Sequence, residues 1–369
     1  MLRHLNNLLI LLRLRRASPW DPRTPLDWLL ASPLQWLTSL LYRHVLLPLR
    51  GRPFHPPSRH GWGPVGSSGS RSRSSSSSSR RRRRPIRVVC LSDTHNLVPD
   101  HRSPTTAIPD GDLLIHCGDL TVGGTPAEIQ RQVDWLRGLG HRWKVVVGGN
   151  HDSWLDERVR KRTGEEKGEE EEEEGGEGGE VDWTGIEYLC DRAVELEFEG
   201  GRRLNVYGFG AVPWCGEGFA FQYDREKHPW RGRVPEETDV LVTHTPPAYH
   251  LDLGLGCAGL LDEVWRVKPK LHVFGHVHYG HGKEAVYYDE CQRAYESLMA
   301  RPAAGPLRDL VSVARWRDAF NVLWYGVASI LWKWIMLGPG TNNGALMVNA
   351  SLMYGNSGRL RNPAIVVDL

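Results

Sequence analysis

The sequence has little cysteine, and none of it in the spacing that metal-thiolate sites use. Its 369 residues include six cysteines, and no two of them form a CxxC pair. This argues against both a zinc-thiolate site and a disulfide framework, because each needs closely or regularly spaced thiols. Cys90 and Cys117 lie in or beside predicted core strands. We therefore expect buried, reduced thiols in an intracellular protein.

Net charge is nearly absent, at +2, but charged residues are unevenly distributed. An arginine run at 80–84 follows a serine run at 74–79, inside a Pro, Gly, Ser and Arg stretch that is typical of a disordered linker. A phosphorylation target, a nuclear import signal, an anionic-surface patch and a plain solvated tether all fit this composition. A specific nucleic-acid site is not expected, because no aromatic residues interleave the arginines. Residues 161–180, nearly all Glu and Gly, predict an exposed acidic disordered insertion.

The N-terminal region also lacks a clean run of about 20 apolar residues, which a transmembrane helix needs. Met1 to Trp20 has no acidic residue, several arginines and an apolar patch. This composition is typical of a mitochondrial transit peptide or of a helix lying on a membrane surface. We expect residues 1–84 to form an apolar, basic segment with a disordered linker, outside a compact domain of residues 85–369.

The most hydrophobic window, residues 320–337, belongs to an apolar insertion that we place at 285–342. A single membrane crossing there would separate strands that should share one domain. Three options remain: a helix in the membrane interface, a partner-binding helix, or a helix packed on its own domain. Our hypothesis is peripheral membrane contact through residues 1–50 and 320–337. We expect an intracellular location, and a mitochondrial address is also compatible with the sequence. The sequence predicts no oligomeric state.

Short apolar runs alternate with helical patterns, which is typical of an α/β fold. A helix is predicted at Thr125–Leu139, with Thr125 as its N-cap and Pro126 in its first turn. A second helix is predicted at Leu260–Val267. We expect the fourth, fifth and sixth strands to form an antiparallel meander. The predicted strands are Arg87–Ser92, Asp112–His116, Lys144–Val147, Ile186–Cys190, Val194–Glu199, Leu204–Tyr207, Val240–Thr243, Leu271–Phe274, Leu346–Asn349 and Ile365–Asp368.

Five polar motifs each follow an apolar, β-branched run, where parallel sheets place their sites. They contain oxygen and imidazole ligands without thiolate, a set that suits manganese, iron, zinc or magnesium rather than structural zinc. The set is too large for one ion, so we predict two divalent metal ions, roughly 3.5–4 Å apart, as in phosphoryl hydrolysis. The predicted metal ligands are Asp93, His95, Asp119, Asn150, His244, His276 and His278. Any one of these motifs can occur by chance, but five of them in this order indicate a shared site.

These motifs resemble the signature of the calcineurin-like metallophosphoesterases. The signature here is Asp93-Thr94-His95, Gly118-Asp119, Gly149-Asn150-His151-Asp152, His244 and Gly275-His276-Val277-His278. Residues 112–119, 268–275 and 348–351 further resemble the small metallophosphoesterase-domain-containing proteins of animals and fungi. The resemblance implies a four-layer αββα metallophosphoesterase sandwich, here with disordered and apolar insertions.

The resemblance also implies roles for the site residues. One metal would take Asp93, His95, Asp119 and His278, and the other would take Asp119, Asn150, His244 and His276. His151 would stabilise the phosphate or protonate the leaving oxygen, and Asp152 would orient His151 through a hydrogen bond. Five residues near the motifs are weaker candidates for which we expect no catalytic role: Arg102, His116, Trp214, His250 and His281.

The function implied is metal-dependent hydrolysis of a small phosphodiester or phosphomonoester by a hydroxide bridging the two metals. The alternative is a non-catalytic scaffold or binding protein of the same fold at a membrane. A complete ligand set favours the enzyme, because a scaffold has no chemical need to retain seven ligands.

Overall fold

The computed structural model describes residues 2–50, 84–103, 105–166, 180–335 and 344–369. The strands are β1 Arg87–Leu91, β2 Leu113–His116, β3 Trp143–Val146, β4 Glu187–Tyr188, β5 Arg192–Phe198, β6 Arg202–Phe209, β7 Val212–Pro213, β8 Gln222–Tyr223, β9 Val240–Thr243, β10 Leu271–Phe274, β11 Gly282–Val286, β12 Ala345–Asn349 and β13 Ile365–Asp368. The helices are α1 Leu2–Leu11, α2 Pro25–Ala31, α3 Pro33–Leu41, α4 Leu47–Arg50, α5 Pro126–Arg137, α6 Glu157–Glu166, α7 Ala258–Val267, α8 Glu290–Ala300, α9 Pro306–Val311 and α10 Val313–Ile335, with a π-helical turn at Tyr42–Leu46 between α3 and α4.

Two mainly parallel sheets form the centre of the fold. The first has the order β13-β1-β2-β3-β4, and only β13 runs antiparallel to its neighbour. The second has the order β11-β12-β10-β9-β6-β5, in which the edge strands β11 and β5 are antiparallel and the four inner strands are parallel. Parallel strands buried on both faces need continuous apolar runs, which is the pattern that the sequence shows.

Alternate residues of each strand face different layers. In β1, Val88 and Cys90 enter the core between the sheets, whereas Val89 and Leu91 pack under α5. The helix α7 covers the outer face of the second sheet in the same way. The layers are therefore helix, sheet, sheet and helix, and the αββα sandwich is confirmed.

The helix α5 begins where the sequence predicts it. The Thr125 hydroxyl accepts from the Glu128 amide at 3.2 Å, and the Glu128 carboxylate accepts from the Thr125 amide at 3.1 Å. This reciprocal pair satisfies two amides that no helical carbonyl can reach. The helix then packs Ile129, Val133 and Leu136 on the sheet.

The predicted antiparallel meander is wrong for its first strand. Of the three strands, β5 and β6 pair antiparallel with each other, whereas β4 pairs parallel with β3 in the other sheet. Ile186 and Leu189 are buried on opposite faces of that first sheet. Local alternation of apolar residues is the same in either sheet, so it cannot decide which neighbour a strand takes.

The expectation that residues 1–84 lie outside the compact fold needs correction for residues 25–50. Tyr42 stacks on Tyr295 of α8 with ring centroids 4.1 Å apart, and Leu46 is buried in the same cluster. The Gln35 amide donates to the carbonyls of Leu298 and Arg301, each at 2.8 Å. These contacts join residues more than 240 positions apart, so no local pattern predicts them. Residues 51–83 lie outside the described residues.

The two predicted insertions have different outcomes. Residues 161–166 belong to α6, so the predicted disordered acidic insertion is wrong for its first six residues, and 167–179 lie outside the described residues. The apolar insertion consists of α8, α9 and α10, placed between β11 and β12, while residues 336–343 are not described. Within the described parts of the chain, no helix is long and apolar enough to span a membrane.

Candidate metal centre

The loops after β1, β2, β3, β9 and β10 converge at one edge of the two sheets. The Asp93 amide donates to the Gly118 carbonyl at 3.0 Å, and the Gly275 amide donates to the His244 carbonyl at 3.0 Å. Asp93, Asp119 and His276 have positive φ angles of 56°, 54° and 66°. Non-glycine residues rarely adopt this conformation, and where they do it concentrates at functional sites. The strand ends thus gather all seven predicted ligands.

Asp93, His95 and His278 form one ligand group. The His278 Nε2 lies 3.3 Å from the Asp93 carboxylate and 3.4 Å from the His95 Nε2. Candidate ligand atoms of these three residues lie within 4.8 Å of one another. One oxygen and two nitrogens therefore face a common point.

Asp119, Asn150, His244 and His276 surround a second point. The His244 Nε2 lies 3.0 Å from the Asn150 Oδ1 and 3.3 Å from the Asp119 Oδ1. The other Asp119 oxygen, Oδ2, lies 3.7 Å from the His95 Nε2 of the first group. Asp119 therefore offers one oxygen to each group, which is the arrangement a bridging ligand requires.

The histidine tautomers fit a metal centre. The Nδ1 atoms of His95, His244 and His278 lie 3.2, 2.7 and 2.8 Å from the backbone carbonyls of Thr121, Cys117 and Gly355. A carbonyl only accepts, so each Nδ1 is assigned the proton. Each Nε2 then points into the site, where a bound cation would replace any proton it carries, as in metal-ligating histidines. The residues present therefore fit divalent cations.

Electrostatics keep the carboxylates ionised and the site polarised. Burial alone would raise the pKa of Asp119, but the adjacent His244 holds it well below its usual range. Burial alone would lower the pKa of His244, but Asp119 raises it to about 9. Burial and the neighbouring His244 lower the pKa of His276 to about 3. At neutral pH the buried acids therefore present charge to a cation.

The predicted contact between Asp152 and His151 is wrong. Asp152 is fully buried, and its carboxylate accepts from the amides of Gly149, Leu120 and Thr121 at 2.9, 3.2 and 3.0 Å. The Thr121 hydroxyl adds a fourth bond at 2.8 Å. Neighbouring residues of the loop point in opposite directions, so Asp152 faces inward while His151 faces the cleft. Asp152 instead fixes the loops after β2 and β3 to each other.

His151 is oriented by a backbone carbonyl. Its Nδ1 lies 3.1 Å from the Val122 carbonyl, so the proton assigned there leaves Nε2 for the cleft. Its ring contacts those of His95 and Phe219, at centroid separations of 4.8 and 4.9 Å. His151 thus lies beside the first ligand group, at the place where an ester would enter.

The cleft above the ligands encloses about 210 Å³. Its lining includes several residues that the sequence did not indicate, chiefly Trp20, Phe219 and Tyr279. The Trp20 ring meets His276 edge-on, with centroids 5.2 Å apart. No sequence signal connects Trp20 to the motifs, because its position depends on how residues 12–24 cross the domain. Phe219 follows an aromatic-rich loop, which is the one signal that could have drawn attention to it.

The five weaker candidates stay outside the lining of the cleft. Buried His116 is satisfied by the Thr94 hydroxyl at 3.1 Å, and its pKa is lowered to about 3 by burial. His250 is held between Glu284 and Glu296, and His281 contacts the Pro363 carbonyl. Trp214 is 62% exposed to solvent. Arg102 lies in the loop after β1, where its backbone amide bonds to Asp100.

Comparison with known proteins bears on this centre. The family model for calcineurin-like phosphoesterase matches residues 86–280, more than half of the chain. The chain belongs to the calcineurin-like phosphoesterase family. The match spans all five motifs and ends just after His278.

Two curated proteins and one solved structure are similar to parts of the chain. The chain is 34% identical over 212 residues to human metallophosphoesterase domain-containing protein 1, covering 53% of this chain and 61% of that one. It is 38% identical over 287 residues to "Probable rhamnogalacturonate lyase C" of Emericella nidulans, covering 77% of this chain but 24% of that protein. A solved structure of TT1561 of Thermus thermophilus aligns with 55% of this chain and 85% of its own, at 14% identity and a TM-score of 0.37. The chain thus spans only part of each of these two curated relatives.

Proposed function

We propose that the protein hydrolyses phosphate esters at a centre of two divalent cations, with a small phosphodiester or phosphomonoester as substrate. The observation that carries the proposal is Asp119, whose two oxygens each face one of two ligand groups. When bound there, two cations would neutralise phosphate oxygens and activate water, and manganese, iron, zinc and magnesium all suit these ligands.

The chain's own residues prepare the site for such an ester. Carbonyl bonds at Nδ1 hold the rings of His95, His244 and His278 with Nε2 directed into the site. The Asp152 bonds fix the relative position of Asp119 and Asn150, which lie on different loops. His151 directs Nε2 into the cleft, where the imidazolium form of the ring would stabilise the phosphate or donate the Nε2 proton to the leaving oxygen.

The cleft suits a small ester. A volume of about 210 Å³ has room for a phosphate and a compact organic group, whereas a phosphoprotein would have to insert a side chain past Trp20 and Phe219. The aromatic lining offers flat apolar surface to that organic group. We therefore favour a small molecule over a protein substrate.

The experiment is metal analysis and hydrolysis with the purified full-length chain. Bis(p-nitrophenyl) phosphate and p-nitrophenyl phosphate are compared with manganese, zinc and magnesium. Asp119→Asn and His151→Gln should each lower the rate by about 100-fold or more, because they remove the shared ligand and the group facing the ester. The exposed Asp100→Asn is the matched control. Metal binding without hydrolysis of any ester in a wider panel would favour the scaffold alternative.

A further inference from the structure

The helix α10 exposes an apolar face and buries charged side chains, which is the reverse of an ordinary surface helix. Val313, Phe320 and Trp324 are 82%, 60% and 60% exposed, and Leu331 and Ile335 continue the same stripe. The opposite face carries Arg315 and Asp318, which are 5% and 4% exposed. A helix on a water-facing surface directs its charged residues outward and its apolar ones inward. An exposed apolar stripe over a buried charged one indicates that the outer medium is not water alone.

The buried charges are paired, so this reversed orientation is built into the fold. The Arg315 guanidinium donates to the Asp309 carboxylate at 2.9 Å, and the Ser32 hydroxyl donates to the same carboxylate at 2.6 Å. Asp318 accepts from Arg301 at 2.7 Å. Turning the helix to hide its apolar face would leave these charges unpaired, at a cost of several kcal/mol.

Neighbouring helices extend the exposed apolar face. In α9, Asp309 is buried while Leu307 and Leu310 are exposed. In α3, Gln35 and Thr38 face inward while Leu37 and Leu40 face outward. The helix α10 contacts α3, and α9 contacts α2 and α3, so the stripes join into one surface, here called the apolar platform. A contiguous apolar surface of this kind is rare on soluble monomers and marks an interaction site.

The charge of the apolar platform has one sign. Residues 25–50 and 306–335 contain three acidic residues, Asp27, Asp309 and Asp318, and all three are buried. Arg308 of α9, Arg317 of α10 and His44 of the adjoining π-helical turn are exposed. An apolar surface with exposed basic residues and no exposed acid complements an anionic, apolar partner.

We propose that the apolar platform docks on the surface of an anionic lipid bilayer, with α9 and α10 lying in the interface. Exposed Trp324 and Trp332 suit the headgroup boundary, where indole rings concentrate. A second copy would bring like charges together. The stretch 51–83 has Phe54, Trp62 and Val65 as its only large apolar residues, too few to cover the platform. This proposal is independent of the catalytic one, because it concerns only attachment.

The test is sedimentation of the full-length chain with vesicles. Vesicles of equal parts phosphatidylcholine and phosphatidylserine should pellet the protein more efficiently than phosphatidylcholine alone. Phe320→Gln with Trp324→Gln should need about tenfold more lipid for half-maximal pelleting, because two exposed aromatics leave the interface. Val98→Gln, at an apolar residue of similar exposure (54%) on the loop after β1, is the control. Arg308→Gln with Arg317→Gln should remove the preference for phosphatidylserine.

Three results would overturn the proposal. The first is a wild-type chain that stays in the supernatant with both kinds of vesicle. The second is pelleting of the aromatic variant at the wild-type lipid concentration, with thermal unfolding showing both folded. The third is a lipid-free dimer, measured by light scattering, that the aromatic variant dissociates, since the occupant would then be a second copy.

Discussion

The Nε2 atoms of His95 and His278 lie 3.4 Å apart, although the residues are separated by 183 positions in the chain. Their Nδ1 atoms bond to the carbonyls of Thr121 and Gly355, which assigns the protons away from the shared space. Two facing lone pairs repel, so the contact needs a positive charge between or beside them, which a proton or a metal ion would supply. The relationship therefore fits a cation-binding centre before any substrate is considered.

We expect divalent metal to stabilise the protein. After chelation and dialysis, adding manganese should raise the unfolding midpoint, because binding to the folded state at 100 times the dissociation constant contributes about 2.7 kcal/mol. Elemental analysis should find two ions in the wild type and fewer in His278→Ala. The control is His281→Ala, which removes a histidine outside the centre. A chain whose midpoint manganese leaves unchanged would contradict the metal assignment.

The five motifs could be predicted because two local signals coincide. Each motif follows a short apolar run, and Val88 to Leu91 shows why: these residues are buried on both faces of a parallel strand, so the run is continuous. Parallel strands end at one edge, which brings Asp93 and Asp119 together without any knowledge of the loops. The convergence of the seven predicted ligands at one sheet edge was therefore accessible from order and spacing alone.

The features that the sequence does not predict depend on side-chain directions and on packing between distant parts of the chain. Asp152 turns toward the amides of Leu120 and Thr121, and the order of residues in a loop does not encode that choice. Trp20 lines the cleft through a contact with His276, a residue 256 positions further along the chain, and no local pattern predicts such a contact. The sequence indicates the apolar insertion, but the reversed faces of its helices α9 and α10 are visible only from the buried ion pair between Asp309 and Arg315.

A glycine should be indispensable where two motif loops meet. A Cβ on Gly275 would lie 2.1 Å from the Ser92 hydroxyl and 2.3 Å from the Asp93 carboxylate. Gly275→Ala should therefore displace Asp93 and weaken metal binding by about tenfold or more, since ligand position must hold within about 0.5 Å. Gly140→Ala is the matched control, because its Cβ would meet nothing within 4 Å. Equal manganese affinity in the two variants would show that the loop can yield.

The free energy of unfolding should fall at alkaline pH because His250 loses its proton. His250 is buried and lies away from the metal centre. Burial alone would lower its pKa, but Glu284 and Glu296, each 2.9 Å away, raise it to about 10. The folded pKa exceeds the unfolded value of about 6.5, so the stabilisation is complete below pH 6.5 and is lost as pH rises through 10. Chemical denaturation at pH 7 and pH 9.5 should show a loss of about 3 kcal/mol in the free energy of unfolding.

A variant isolates this contribution. His250→Gln should be less stable than the wild type at pH 7 and should lose much less stability by pH 9.5, because it has no imidazolium to deprotonate. His281→Gln, outside the Glu pair, should follow the wild-type profile. If the free energies of unfolding of the wild type and of His250→Gln fell by the same amount between pH 7 and pH 9.5, other groups would account for the pH dependence.

Trp20 should contribute to substrate binding without taking part in the chemistry, given the proposed activity. It lines the cleft and meets His276 edge-on at 5.2 Å, yet it lies on the N-terminal segment rather than on a motif loop. Trp20→Ala should raise KM for bis(p-nitrophenyl) phosphate about tenfold and leave kcat within about twofold, since a lost apolar wall weakens ground state and transition state alike. Trp214→Ala removes an indole that is exposed and outside the cleft, so its KM should match the wild type. A fall in kcat with unchanged KM and metal content would instead place Trp20 in the reaction itself. If both KM and kcat were unchanged, the ester would not reach the indole.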